Sequence, residues 1–353
     1  MGKFSEFIVR EKETIRDAFR KQTSTVKKFL LVVDKKKKVL GIVTDGDFRR
    51  AILASVSLEA SISSIMNKNF RYFEEGYKVK DIKKVFYSTR ILQIPILKDG
   101  MLSDIIFRDD FKESKLSLNT ENMDLPVVIM AGGIGKRLDP FTRILPKPLI
   151  PIGNKAIIEI IMDYFAEFGM RHFFVSVNHM ANMIRAYFEY SSEYYNVTYI
   201  EEDEPLGTIG SLSLIKNKVS TAFFVTNCDI LVNEDYTDVY NFHNKGDYIM
   251  TILGSMQHHT VPYGVMSIKD GGELNKITEK PEYDFLVNTG MYVFSPKIFN
   301  YIPEGKKFDI TNLIEHLKKN NERIGVYPVT ENSWFDVGQW DMYMSTKKIM
   351  NVK

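Results

Sequence analysis

Four apolar residues in a row, Val127-Val128-Ile129-Met130, lead directly into Ala131-Gly132-Gly133-Ile134-Gly135. A short apolar run of this kind predicts a buried strand. The glycines behind it let the backbone turn sharply and approach a ligand closely with its N–H groups. A helical spacing of apolar residues follows at Ile157, Ile161, Phe165 and Phe168, and a second strand-like run at Phe173-Phe174-Val175-Ser176-Val177. Strand, loop, helix and strand in that order predict an α/β domain with a mostly parallel sheet covered by helices, and they exclude an all-helical or all-β chain.

The loop brings its own charge. Lys136, Arg137 and, in Pro146-Lys147-Pro148, Lys147 stand beside the glycines. Ala131, Gly132, Gly133, Gly135, Lys136 and Arg137 therefore read as a polyanion cradle, with Arg137 and Lys147 as its working cations. It is neither of the two commonest phosphate loops: Gly135-Lys136 is followed by Arg137 rather than Ser or Thr, and Leu138 stands where a dinucleotide fingerprint needs glycine. Further on, the apolar Ala222 to Val225 ends near Asp229, which puts a carboxylate at the carboxyl edge of the sheet, where open α/β sheets bind ligands. Asp336 lies between Trp334-Phe335 and Gly338. Together the two carboxylates can offer Mg²⁺ the few hard oxygen ligands it needs beside water and phosphate, and each can equally cap a turn.

The 353 residues exceed one ordinary domain, and their charge is uneven. Residues 1–124 hold 25 Lys and Arg against 18 Asp and Glu, net +7, and the remainder holds 22 against 27, net −5. The densest basic run, Lys35 to Lys38, separates two apolar segments without interleaved aromatics, so it reads as a solvated turn and not as a nucleic-acid surface. No apolar run is long enough to cross a bilayer, Met1 to Arg10 is charged, and Cys228 is the only cysteine. A cytoplasmic protein without disulfides or a cysteine metal cage, and without a membrane or nucleic-acid partner, is expected.

Within the basic stretch a single pattern occurs twice. Thr14 to Phe19 is spaced as a helix, Phe29 to Val33 as a strand, and Leu40-Gly41-Ile42-Val43 as a second strand; Asp81 to Phe86, Leu92 to Leu97 and Ile105 to Phe107 repeat the order. Two copies, each too small for a core of its own, should pack together. The first copy ends in Thr44-Asp45-Gly46-Asp47, where Thr44 can donate to phosphate and Asp47 can accept from ribose hydroxyls, or an aspartate can simply cap the next helix. This repeat resembles a pair of CBS motifs, modules that bind adenine nucleotides in many proteins. In the second copy Asp104 and Phe107 replace Gly41 and Thr44, so one nucleotide at most is expected. The expected domains are 1–118 for the pair, read as a ligand-binding regulatory unit or as a structural, dimerising one, a linker at 119–124, and 125–353 for the nucleotidyltransferase domain.

The second domain resembles the sugar-1-phosphate nucleotidyltransferases, whose signature runs Gly-Gly-x-Gly-x-Arg-Leu and then Pro-Lys-Pro-Leu. The resemblance continues in order through Leu206-Gly207-Thr208-Ile209-Gly210, Thr226-Asn227-Cys228-Asp229, Glu279-Lys280-Pro281, Asn288-Thr289-Gly290 and Trp334-Phe335-Asp336-Val337-Gly338. Lys136 replaces a small hydroxyl residue usual in the loop, and Cys228 a glycine usual before the aspartate. The resemblance implies a Rossmann-like nucleotidyltransferase fold with helices on both faces of the sheet, Mg²⁺ on Asp229 and Asp336, and a sugar-phosphate site of Gly207, Thr208, Glu279, Lys280, Asn288 and Gly290. In that site Lys280 would hold the phosphate, Glu279 and Asn288 the hydroxyls, and the two glycines would let a sugar ring approach the backbone.

It also implies a nucleoside triphosphate and a sugar 1-phosphate as substrates and a homo-oligomeric assembly. A CBS-like pair joined to such a transferase resembles bacterial enzymes that make a GDP-amino sugar, such as GDP-glucosamine, on the route to legionaminic acid. GTP and glucosamine 1-phosphate are therefore the expected substrates. Uridylyl or thymidylyl specificity, or an inactive transferase fold that binds nucleotide-sugar as a regulator, are the alternatives.

Overall fold

The structure, a computed structural model, describes residues 4–25, 27–89, 91–111, 123–133, 135–178, 180–189 and 194–338, with only the backbone of Tyr87 and Lys136. Positions 119–122 of the expected linker, the Lys136 side chain and His179 lie outside the described residues. The chain divides into two compact units, Met1–Asn119 and Thr120–Lys353.

The first unit contains the repeat in three dimensions. Strand β1 (Ile8–Arg10), helix α1 (Ile15–Thr23), strand β2 (Phe29–Val33) and strand β3 (Val39–Thr44) precede helix α2 (Asp45–Leu53); strand β4 (Phe73–Glu74), helix α3 (Val79–Ser88), strand β5 (Gln93–Lys98) and strand β6 (Met101–Phe107) form the second copy. In each copy the first strand pairs parallel with the second, and the second antiparallel with the third. Thr14 caps α1 through its hydroxyl, which accepts from the Asp17 N–H at 3.0 Å. The Lys35–Lys38 run is a turn: Asp34 Oδ1 accepts the N–H of Lys36 and Lys38 at 2.7 and 2.9 Å. Phe7, Phe29, Leu31 and Ile42 from the first copy share one apolar cluster with Ile105 from the second, which is how two undersized copies obtain a common core.

The second unit is built on one large sheet. It opens with β7 (Val127–Met130), a short hairpin of β8 (Pro151–Ile152) and β9 (Lys155–Ala156), α4 (Ile157–Ala166), β10 (His172–Val177), α5 (Ala181–Glu189) and β11 (Asn196–Glu201). β12 (Phe223–Asn227), β13 (Ile230–Val232), α6 (Tyr236–Lys245) and β14 (Met250–Thr260) follow, then β15 (Val265–Ile268), β16 (Leu274–Thr278), β17 (Glu282–Phe294), α7 (Ile310–Lys319), β18 (Ile324–Val329) and β19 (Trp334–Asp336). The sheet order is β11-β10-β7-β12-β17-β14-β18, with β17 antiparallel to both neighbours and every other pair parallel.

Alternation along β7 shows why both faces are covered. Val127 and Ile129 enter a cluster with Ile157, Ile161 and Phe165 of α4 and Val239 of α6, while Val128 enters a second cluster with Leu313 and Leu317 of α7. Burial on both sides explains why these strands are continuously apolar rather than alternating. The fold is α/β, mostly parallel and helix-covered on both faces, as expected. Among the described residues no helix is long and apolar enough to cross a membrane.

Candidate active site

β7 and β12 are parallel neighbours, with Met130 beside Asn227 in register. The glycine loop and the Asn227-Cys228-Asp229 segment therefore leave adjacent strand ends on the same edge of the sheet. The Cys228 N–H donates to the Met130 carbonyl at 3.3 Å, and the Ala131 N–H to Ser176 on the other side of β7, with Oγ and O both at 3.2 Å. Gly135 has φ +73° and a side chain there would meet Lys147 Cβ at 2.9 Å and Thr142 Cγ2 at 3.0 Å, so glycine is required both by conformation and by packing. That close approach sets the lysine against the loop.

Lys147 forms an ion pair with Asp229 Oδ2, both side chains being largely buried. Burial works against the ammonium, but Cys228, Asp229 and Asp336 outweigh it and raise Lys147 above the ordinary lysine range. Asp336 is brought in from far along the chain by β19, which pairs antiparallel with β13 so that Asp336 lies opposite Ile230. The Val337 N–H donates to the Asp229 carbonyl at 2.9 Å and the Gly338 N–H to Asp336 Oδ1 at 2.8 Å. A Cβ on Gly338 would overlap Asp229 Oδ2 and stand 3.0 Å from Asp336 Oδ1, so the two carboxylates converge on a space that only glycine leaves open. Two hard anionic oxygens around such a space fit Mg²⁺, which takes one or two carboxylates and completes its shell with water and phosphate.

Cys228 is no nucleophile. Burial, with Asp229 adding to it, pushes its thiol up to about 12. His243 is equally inert, between Thr251 Oγ1 at 2.9 Å and Ser295 Oγ at 3.1 Å.

The other expected residues separate into groups. Arg137 is exposed on a 3-10 turn over Lys136–Leu138 that buried Leu138 anchors. Asn288 donates to the Tyr292 hydroxyl at 2.9 Å and accepts from the Gly290 N–H at 3.0 Å. Gly290 backs onto the Asp229 segment, since a side chain there would lie 2.6 Å from Asn227 Nδ2. Its φ of +84° and the neighbouring Asn227 account for this glycine. The same holds for Gly207, at φ +82°, where a Cβ would meet the Phe308 carbonyl at 2.7 Å and Asp309 Oδ1 at 2.8 Å. Thr208 is committed to α7: its N–H donates to Asp309 Oδ1 at 3.0 Å and its hydroxyl accepts from the Ile310 N–H at 2.8 Å. Glu279 and Lys280 are exposed beyond β16, Lys280 at φ +45°, and no described contact ties them to the carboxylates.

In the first unit, Thr44 and Asp47 bond each other. Asp47 Oδ2 accepts from the Thr44 N–H at 2.8 Å and its hydroxyl at 2.7 Å, while Oδ1 accepts from Arg50 at 2.6 Å. This reciprocal cap starts α2 at Asp45. Phe107 occupies the corresponding place in the second copy and packs on Phe29.

One site residue was missed in the sequence. Glu202 is buried while Glu201, Asp203 and Glu204 around it are exposed. Its Oε2 accepts from the Leu206 N–H at 3.0 Å, and its Oε1 lies 3.0 Å from where a Cβ on Gly132 would stand, so a carboxylate faces the glycine loop. The acidic run hid it, because nothing in the sequence distinguishes its buried member.

The fold, with these groups at the strand edge, is that of the nucleotidyltransferases. Residues 126–351 match the Nucleotidyl transferase family and the chain belongs to it; residues 5–54, the first of the two copies, match the CBS domain. A mannose-1-phosphate guanyltransferase from Yarrowia lipolytica is 32% identical over 228 residues, 62% of this chain and 62% of the relative. A UTP–glucose-1-phosphate uridylyltransferase from Synechocystis is 28% identical over 235 residues, 61% of this chain and 60% of the relative. The chain thus spans under two thirds of the length of each of these two. Among solved structures, HddC from Yersinia pseudotuberculosis superposes with a TM-score of 0.52 at 26% identity, covering 64% of this chain and 99% of HddC.

Proposed function

We propose that this chain transfers a nucleotidyl group from a nucleoside triphosphate to a sugar 1-phosphate and releases pyrophosphate. The convergence of Lys147, Asp229 and Asp336 beside the glycine loop carries this reading. An oxygen of the sugar phosphate forms a bond to the α-phosphorus as the bond from that phosphorus to the pyrophosphate oxygen breaks. No general base is needed, because the attacking phosphate is already ionised at neutral pH.

Bringing two polyanions together is the difficulty. Two like charges at about 4 Å repel by about 4 kcal/mol at an effective dielectric of about 20, so neutralisation decides the rate. The amides of Gly132, Gly133 and Gly135 cradle the triphosphate, Arg137 takes the departing pyrophosphate, and Lys147 and Lys280 take the attacking phosphate. Asp229 and Asp336 would hold Mg²⁺, whose chemistry there would be neutralisation of phosphate charge. Glu279 and Asn288 bond the sugar hydroxyls.

Guanine is the favoured base. The Glu202 carboxylate beside Gly132 can accept from both the N1–H and the N2 amino group of guanine, whereas uracil and thymine offer one N–H flanked by carbonyls that repel it. The guanyltransferase name of the Yarrowia relative supports the same choice. Glucosamine 1-phosphate, the acceptor suggested by the joined CBS-like unit and the resemblance to legionaminic acid enzymes, is the sugar proposed. A grid of GTP, UTP, CTP and dTTP against glucosamine, mannose and glucose 1-phosphates with Mg²⁺, read by pyrophosphate release, tests all of this. GTP should lead by at least about tenfold; a UTP or dTTP preference would overturn the guanine assignment and leave the transfer reaction standing, and no release with any pair would overturn the reaction.

A further inference from the structure

Asp309 stands at the N-cap position of α7 without capping it. Its Oδ1 accepts the Thr208 N–H at 3.0 Å, and the Thr208 hydroxyl accepts the Ile310 N–H at 2.8 Å, so the helix is capped by a residue 102 positions from its first. Aspartate is among the best N-cap residues, so its diversion to Thr208 secures the loop and not the helix. Two backbone bonds join the same segments: the Phe308 N–H donates to the Leu206 carbonyl at 2.8 Å and the Ile209 N–H to the Phe308 carbonyl at 3.2 Å. The segment so fixed reaches the glycine loop through Glu202, whose Oε2 accepts the Leu206 N–H at 3.0 Å while Oε1 faces Gly132. The Glu202 backbone is held separately, its N–H donating to the Val177 carbonyl at 3.1 Å and its carbonyl accepting from Asn178 Nδ2 at 2.6 Å. Among the described residues, the Leu206 N–H is the donor that orients the carboxylate itself.

We propose that Asp309 is a positioning residue for base specificity: by holding Thr208 it holds Leu206, and so keeps the Glu202 carboxylate aimed at the guanine edge. The inference rests on the guanine reading above. A carboxylate oxygen has more than one lone-pair site, so Oε2 can serve the Leu206 N–H and still accept from the base beside Oε1. Accepting from N1–H and the N2 amino group together requires both oxygens in one orientation, and the terminal torsion of a glutamate is soft. Hydrogen bonds weaken steeply when misaligned. A carboxylate released by a loosened Leu206 therefore loses discrimination at the base edge, while the glycine loop keeps its hold on the phosphates.

Calorimetric dissociation constants of the full-length chain for GTP and ITP test this, because hypoxanthine differs from guanine only in lacking the N2 amino group. The wild type should bind GTP at least about tenfold more tightly than ITP, the usual worth of a hydrogen bond to a charged group. Asp309→Ala and Asp309→Ser should cut that ratio to about threefold or less as the alignment is lost. Asp309→Asn, whose side-chain oxygen still accepts from Thr208, should keep it. Asp309→Ser can cap α7 locally, so it separates the link to the loop from the stability of the helix, which thermal melting follows. A merely structural Asp309 would lower Tm in Asp309→Ala and leave the ratio unchanged in every folded variant. That result, or loss of the ratio in Asp309→Asn as well, would overturn the proposal and leave the guanine reading standing. A wild type that binds ITP as tightly as GTP would overturn the guanine reading and, with it, the role given to Asp309.

Discussion

Lys147 is ion-paired with Asp229, so the cation that follows the glycine loop rests on one of the two carboxylates assigned to Mg²⁺. The lysine offsets the repulsion between Asp229 and Asp336, the charge that the proposed Mg²⁺ would offset if those carboxylates held it. The first consequence is for stability. Lys147→Ala should lower Tm, and Mg²⁺ should raise the Tm of the variant more than that of the wild type, because the ion then supplies the missing positive charge. Equal Mg²⁺ shifts in the two proteins would show that the lysine does not share the carboxylates' charge.

Turnover should fall on the order of 100-fold in Lys147→Ala and in Arg137→Ala, the usual cost of losing one charged group that meets the transition state. Steady-state kinetics with saturating sugar phosphate measure it. A loss confined to KM would mean uniform binding rather than transition-state neutralisation.

Asp229→Asn and Asp336→Asn should each abolish Mg²⁺-dependent turnover and leave the far-UV circular dichroism unchanged. Gly338→Ala should behave similarly, with a loss on the order of 100-fold, since its methyl group displaces the carboxylate of Asp229. Wild-type rates in Gly338→Ala would show that the space between the carboxylates is not used.

Buried His243 makes stability depend on pH. Burial lowers its pKa from 6.5 to about 4, so the unfolded chain binds a proton below about 6.5 that the folded chain refuses until about 4. Stability is fully present above pH 6.5 and declines as pH falls toward 4, by about 3 kcal/mol from this residue. Urea unfolding between pH 7 and 4 should show that decline, and His243→Gln should flatten it.

Cys228 should not react with a thiol reagent at pH 8 while the chain is folded, because it is buried and its thiol is pushed up to about 12. Denaturant should release one reactive thiol per chain. Rapid labelling of the native protein would contradict that burial.

What could be read from the sequence follows the range of the forces involved. α1, β2, β7 and α4 announce themselves through apolar period and local caps, which operate within a few residues. β1 and β4 escape because strands of three and two residues are too short to carry a period. Asp229 and Asp336 are visible as isolated carboxylates, but the β13–β19 pairing that joins them is a long-range contact that spacing does not encode. Gly207 and Gly290 look like ligand clearances in the sequence, and their positive φ and the protein atoms packed beside them already require glycine, which spacing does not reveal. Glu202 required burial, a property of the folded chain, to stand out from its acidic neighbours.

The central claim is that a sugar phosphate attacks the α-phosphorus of a nucleoside triphosphate. Parallel reactions of the full-length chain with GTP labelled at the α- or the γ-phosphate, Mg²⁺ and glucosamine 1-phosphate, resolved by ion-exchange chromatography, test it directly. The α-label should enter a nucleotide-sugar and the γ-label should leave in pyrophosphate; γ-label on the sugar, or orthophosphate as the only labelled product, would contradict attack at the α-phosphorus.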